Sequence, residues 1–195
     1  MIPCRRGCCK GRRNPGFRWL VCGTGHSGTG WAAEILTRLG HDTTHQAPLN
    51  YNGWMNGYIA PKSGVSTPYA LPRHVRETPR SLLIVRHPAR FAASAVHANL
   101  FTHRSDHHDW IYRHWPDMGA LAFWNTHTAE MTEVATETVT LEEITTDPPF
   151  AAAVFTRLVH KRITVEAMTG AMAEVGVVNT HDQEMRDAIA LWGQL

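Results

Sequence analysis

The segment Gly23-Thr24-Gly25-His26-Ser27-Gly28-Thr29-Gly30 gathers four glycines and three hydroxyl-bearing residues. Such a loop suits an anion. Glycines let the backbone close on a phosphate or sulfate without Cβ clashes. The backbone N–H groups, with the positive end of a following helix, supply donors. Ser27 and Thr29 add hydroxyls. Further along, Arg86-His87-Pro88 closes an apolar run, and Ser94 follows eight residues after the arginine. Arg86 offers a permanently charged, bidentate fork to a phosphate dianion, and Ser94 can add a hydroxyl. Taken alone, Arg86 could equally be a structural ion-pair partner.

Two phosphate motifs are approached and missed. A Walker A loop needs lysine after its last glycine, but Thr29 follows Gly28 and Trp31 follows Gly30, so the usual lysine for a β/γ-phosphate is lacking. Gly23-x-Gly25-x-x-Gly28 fits the dinucleotide fingerprint, with Asp42 near the expected distance. That acid should close a second apolar strand, and no such strand precedes it.

The elements that position these residues follow an α/β order. Phe17–Cys22 reads as a buried strand, and Trp31, Ile35, Leu36 and Leu39 recur at helical spacing before Gly40. Trp31, at the start of that apolar face, suits the core as well as a ligand. Residues 41–79, rich in Pro, Gly, Asn and Thr, show no convincing element longer than a turn; so long a stretch is expected to be a functional segment with short pieces of structure. Ser81–Val85 is a continuous apolar strand of the kind buried on both faces of a parallel sheet. Helices are expected over 89–100 and 118–135, a strand near 138–141, and helices near 150–160, 164–175 and 182–192. Strand, glycine loop, helix, then strand, loop, helix predicts a central parallel sheet flanked by helices.

Composition bounds the rest. With 195 residues and 43% hydrophobic content, residues 17–195 suit one globular domain behind a basic tail, 1–16. Six of the nineteen Lys and Arg residues lie within residues 1–18 with no acid among them, leaving thirteen against seventeen acids in the rest. Any anion site must therefore be local, and no nucleic-acid partner is expected. No apolar run approaches the ~18 residues of a membrane span. A cytoplasmic location is expected, with Cys4, Cys8, Cys9 and Cys22 as reduced thiols.

Ser27-Gly28-Thr29-Gly30-Trp31-Ala32-Ala33-Glu34-Ile35-Leu36 resembles the 5′-phosphosulfate loop of the cytosolic sulfotransferases, which runs Pro-Lys-Ser-Gly-Thr-Thr-Trp into a helix with Glu-Ile. Val85 to Ser94 resembles the family's 3′-phosphate motif, Arg-x-Pro with a serine eight residues after the arginine. Thr140 to Pro148 looks like its Tyr-Glu-Asp-Leu segment with the trailing Asp-Pro. The family's C-terminal Arg-Lys-Gly has no clear counterpart; Asn179-Thr180-His181 stands at a comparable place.

The resemblance implies a three-layer, P-loop-like α/β fold and 3′-phosphoadenosine 5′-phosphosulfate (PAPS) as donor, with in-line sulfuryl transfer to a hydroxyl or amine of a small-molecule or glycan acceptor. It assigns the donor to Gly25, His26, Ser27, Gly28, Thr29, Gly30, Trp31, Arg86 and Ser94, with Trp31 at the adenine-stacking position. His26 stands where the family has lysine and would stabilise the leaving oxygen. His45, where bacterial relatives place a His-Glu pair, would be the base, with Gln46 in place of the glutamate. Residues 46–80 and 101–117 would form the acceptor pocket. His103, His107, His108, Asp109 and His114 have a zinc-compatible inventory, but an acceptor-side lid is expected and no metal. The alternatives are a catalytically idle nucleotide- or glycan-binding module and a nucleotide kinase.

Overall fold

The computed structural model describes residues 18–24, 26–45, 64–68, 70–97, 114–115 and 118–176. Among them are five strands: β1 (Leu20–Cys22), β2 (Thr43–His45), β3 (Gly64–Thr67), β4 (Ser81–Val85) and β5 (Glu137–Thr140). The helices are α1 (Thr29–Arg38), α2 (Pro72–Glu77), α3 (Pro88–His97), α4 (Ala120–Thr132), α5 (Leu141–Thr146), α6 (Pro148–Val159) and α7 (Val165–Val175). The strands form one sheet in the order β2-β3-β1-β4-β5, and every pairing is parallel. In its centre Cys22 lies opposite Thr67 on one side and Leu83 on the other.

Successive side chains of a strand face opposite ways, and here both directions are apolar. Val21, Leu82, Ile84 and Val139 enter one core with Ile35 and Leu36 of α1, Phe155 of α6 and Met168 of α7. Leu20, Cys22, Val65 and Leu83 enter the other with Val75 of α2 and Met131 of α4. A helix layer thus covers each face, as expected for this α/β class. Burying a leucine or isoleucine fully is worth roughly 1.5–3 kcal/mol, and Leu20, Ile35, Leu36, Leu82, Leu83 and Ile84 are all fully buried. This explains why β1 and β4 read as unbroken apolar runs. A third cluster, with Phe91 and Ala95 of α3 and Phe123 of α4, seats α3 on α4.

The short pieces of structure expected within 41–79 are β2, β3 and α2. Thr43-Thr44-His45 and Gly64-Val65-Ser66-Thr67 are too short and too polar for an alternating pattern to stand out. Parallel pairing to β1 and to each other makes them strands. Leu141, expected to end the strand near 138–141, instead opens helix α5. Its start is a capping box: the Glu143 N–H donates to Thr140 Oγ1 (3.2 Å), and the Thr140 N–H donates to Glu143 Oε2 (3.3 Å). The helix expected at 182–192 lies outside the described residues.

Order fixes where a site can form. The connection from β1 runs through α1 to β2 at one edge, and that from β4 runs through α3 toward β5 at the other. β1 and β4 are neighbours whose connections leave in opposite directions. In open α/β sheets the crevice at such a switch point, outside the carboxyl ends of the strands, is where ligands bind.

Candidate functional site

The loop after β1 lies in that crevice. The Ser27 N–H donates to the Thr24 carbonyl (3.1 Å) and closes a tight turn. A side chain at Gly23 would run into Ser27 Oγ and come within 2.6 Å of the Ile84 carbonyl oxygen. Gly28 has φ +93°, and a Cβ there would run into Leu141 Cδ1 of α5. Only glycine meets both demands at that position. His26 is also left-handed, with φ 63°, a conformation that costs a non-glycine residue roughly 1–2 kcal/mol. Gly25 lies outside the described residues.

α1 begins on Gly28 with no side-chain cap, and its first helical bond is from the Ala32 N–H to the Gly28 carbonyl (2.9 Å). The N–H groups of Thr29, Gly30 and Trp31 precede that bond and have no partner inside the helix. Together with the helix dipole they favour an anion. Ser27 Oγ is buried against Gly23 without a hydrogen-bond partner. The loop therefore offers its backbone more than its hydroxyls.

β4 brings Arg86 to the same place. Arg86 Nη1 donates to the His26 carbonyl (2.9 Å). Its own carbonyl accepts from Trp124 Nε1 of α4 (3.0 Å), so backbone and fork are both held. Arg86 Nε is buried with no hydrogen-bond partner. Burial lowers the guanidinium pKa, with Glu142 raising it and Arg90 lowering it further. A buried cationic N–H without an acceptor is costly, and an anion in the crevice would relieve that cost. Ser94 is half-buried on α3, four residues after Arg90 and so on the same face.

On the other side of β1, β2 carries His45. Its Nδ1 lies 3.1 Å from the Ser66 carbonyl of β3. A carbonyl only accepts, so Nδ1 carries the proton and the neutral ring keeps its lone pair on Nε2. Nε2 faces the start of α1, 3.4 Å from where a Cβ on Gly30 would stand. Ser66 also ties α1 down, its Oγ donating to the Thr29 carbonyl (2.6 Å). The fold thus brings His26, Arg86 and the start of α1 to the ends of the neighbouring strands β1 and β4, with His45 on β2 beyond β3. Trp31 is half-buried on the main core, its ring centroid 6.2 Å from that of Phe155.

Sequence reasoning missed Ser66, Arg90, Glu142 and Trp124. Each works through a partner distant in sequence, and no spacing rule points to it. Cys22 is buried, its Sγ 3.5 Å from the Leu82 carbonyl, and burial pushes its thiol pKa far up, so it has no nucleophilic role. Of the zinc-compatible residues only His114 is described, and among the described residues no group of three or more His, Cys, Asp or Glu could hold a metal. No helix among the described residues is long and apolar enough to cross a membrane.

No family model matches the sequence, and no curated protein matches it significantly. Solved structures do match its fold. The crystal structure of mouse sulfotransferase SULT7A1 complexed with PAP superposes with a TM-score of 0.62 at 15% identity, covering 87% of this chain and 67% of that one. Retinol dehydratase in complex with androsterone and inactive cofactor PAP superposes with a TM-score of 0.53 at 14% identity, covering 84% of this chain and 65% of that one. The chain spans about two thirds of each neighbour's length, and it has the sulfotransferase fold.

Proposed function

We propose, from the premise of the sulfotransferase fold, that the chain moves a sulfuryl group from PAPS to a hydroxyl or amine acceptor. The observation that carries this reading is the bond from Arg86 Nη1 to the His26 carbonyl (2.9 Å) beside a buried, open Arg86 Nε. It joins two anion-seeking features, the uncapped start of α1 and a guanidinium, at the switch point. A nucleotide charged at both its 5′ and 3′ ends suits that pair. The PAP in both structural neighbours supports the same donor class.

When bound, the donor supplies the sulfuryl group: the bond from acceptor oxygen to sulfur forms as the sulfur–oxygen bond to the 5′-phosphate breaks. The chain's residues do the rest by position and electrostatics. The backbone from Gly25 through Gly30, aided by the Ser27 and Thr29 hydroxyls, holds the 5′ end. Arg86 and Ser94 hold the 3′-phosphate. His26 donates an N–H to the leaving oxygen. His45 Nε2 takes the acceptor's proton, with Ser66 fixing the required tautomer. Trp31 covers the adenine with the part of its ring that the core leaves exposed. A small molecule or a glycan fits as acceptor, and the chemistry needs no metal.

The test incubates the chain with radiolabelled PAPS and a panel of hydroxyl acceptors, alongside calorimetry with PAP. Transferred label and measurable PAP affinity are expected. Affinity without transfer would leave an idle donor-binding module, and absence of both would overturn the reading.

A further inference from the structure

Arg86 is not the only cation beside the loop. Arg90, in the first turn of α3, places Nη1 3.7 Å from Glu142 Oε1 of α5. Glu142 follows Leu141, whose side chain packs on Gly28, so this carboxylate stands at the rim of the loop. Glu142 Oε1 is buried and accepts no hydrogen bond. Its charge and that of Arg90 both act on Arg86, in opposite directions. Two guanidiniums thus flank one carboxylate, and neither makes a hydrogen bond to it.

That arrangement is poor as a structural ion pair. A well-made arginine–carboxylate pair is bidentate, with N···O near ~2.8 Å, whereas this one is long and leaves an acceptor buried and open. It is well suited to exchange. A phosphate monoester at neutral pH carries up to about two negative charges and three acceptor oxygens. One guanidinium cannot neutralise it, and two can. Ser94 stands one turn beyond Arg90 on the same helical face, and Arg90 lies close enough to Arg86 to act on its charge.

We propose that Arg90 is a second cationic ligand for the donor's 3′-phosphate, and that Glu142 is the internal anion it leaves when that phosphate binds. The proposal rests on the sulfate-donor reading above and names the residues that make the site select a 3′-phosphorylated nucleotide. With Glu142 in place the three side chains sum to one positive charge. Neutralising it removes a repulsion that the incoming dianion must otherwise overcome.

The experiment measures PAP and AMP, which lacks the 3′-phosphate, by calorimetry on the wild-type chain, Arg90→Met and Glu142→Gln, with thermal melts to verify folding. Arg90→Met is expected to weaken PAP about ten- to a hundredfold, the loss of one charge-assisted contact, while AMP stays within about twofold. Glu142→Gln is expected to tighten PAP about threefold without changing AMP. A wild-type chain that does not prefer PAP over AMP would overturn the donor reading itself. A wild-type preference that survives Arg90→Met intact, or an equal loss for both nucleotides, would overturn only the role of Arg90. Weaker PAP binding in Glu142→Gln would overturn the competing role of Glu142.

Discussion

The start of α1 and the starts of α5 and α6 solve the same problem in opposite ways. All three helices begin with N–H groups that lack partners within the helix. At α5 the chain supplies acceptors from Thr140 and Glu143. At α6 it supplies Asp147, whose Oδ1 accepts from the Phe150 N–H (2.9 Å), followed by Pro148, which has no N–H to satisfy. At α1 it supplies nothing: the cap is Gly28, and the nearby Arg86 brings a further unpartnered donor. Gly119 also leaves α4 uncapped, but in open space. Where donors only need satisfying, the sequence closes them with a side chain. Where they stay open beside a buried cation, the chain leaves its donors available to an anion.

Removing the open cation should have the largest effect. Arg86→Gln keeps a donor for the His26 carbonyl but removes the charge, and PAP affinity should fall about a hundredfold or more, roughly 3 kcal/mol. Affinity within twofold of wild type, by calorimetry, would break the comparison, since Arg86 would then be structural. Gly28→Ala comes next. The left-handed φ and the collision with Leu141 Cδ1 both oppose a Cβ, and a loss of about 2–3 kcal/mol of stability is expected. An unchanged denaturant midpoint would show that the loop does not need this geometry.

Acid should open a closed donor. His74 is buried in α2, and its Nδ1 accepts from the Leu71 N–H (2.9 Å), which requires the neutral ring. Burial lowers its pKa to about 3, assisted by Arg73 and His114. Burial likewise lowers that of His127 to about 4, against a bond with the Ala70 backbone. Both folded-state values lie below the usual 6.5, so the unfolded chain takes up protons first. Stability is therefore full above pH 6.5 and falls as pH drops toward 4. By pH 5 each histidine should remove about 2 kcal/mol, read from denaturant melts between pH 7.5 and 5. His127→Gln should flatten part of that slope, and a slope unchanged in it would remove His127 from this account.

How much of this was legible beforehand depends on length and on locality. β4 and α1 were legible because four consecutive apolar residues and a ten-residue amphipathic helix each carry their own pattern. β2 and β3 were not, since three or four residues become strands only by pairing, β3 with β1 and β2 with β3. The glycine loop, Arg86 and Ser94 could be named as candidates because their chemistry lies in residue type and short spacing. Arg90 beside Glu142, and Ser66 between His45 and Thr29, were not, because the fold alone joins them. His45 is intermediate: its position could be named, but its tautomer depends on a carbonyl of β3.

The smallest expected effect asks whether the closed helix starts are truly separate from the site. Asp147→Ala removes the acceptor for the Phe150 N–H, a loss worth about 1 kcal/mol that should appear as a lower denaturant midpoint. Pro148 keeps the first turn of α6 pre-organised, so the helix should still form. If α6 only needs satisfying, PAP affinity will stay within about twofold of wild type. The opposite outcome has a specific route. α5 lies between Asp147 and the loop, and it carries Leu141 on Gly28 and Glu142 beside Arg90. A loosened α6 start could let α5 shift, and PAP affinity would then fall with stability. That result would merge the two regions and make the α5–α6 corner a wall of the site, whereas a pure stability loss would keep the closed starts distinct from the open one.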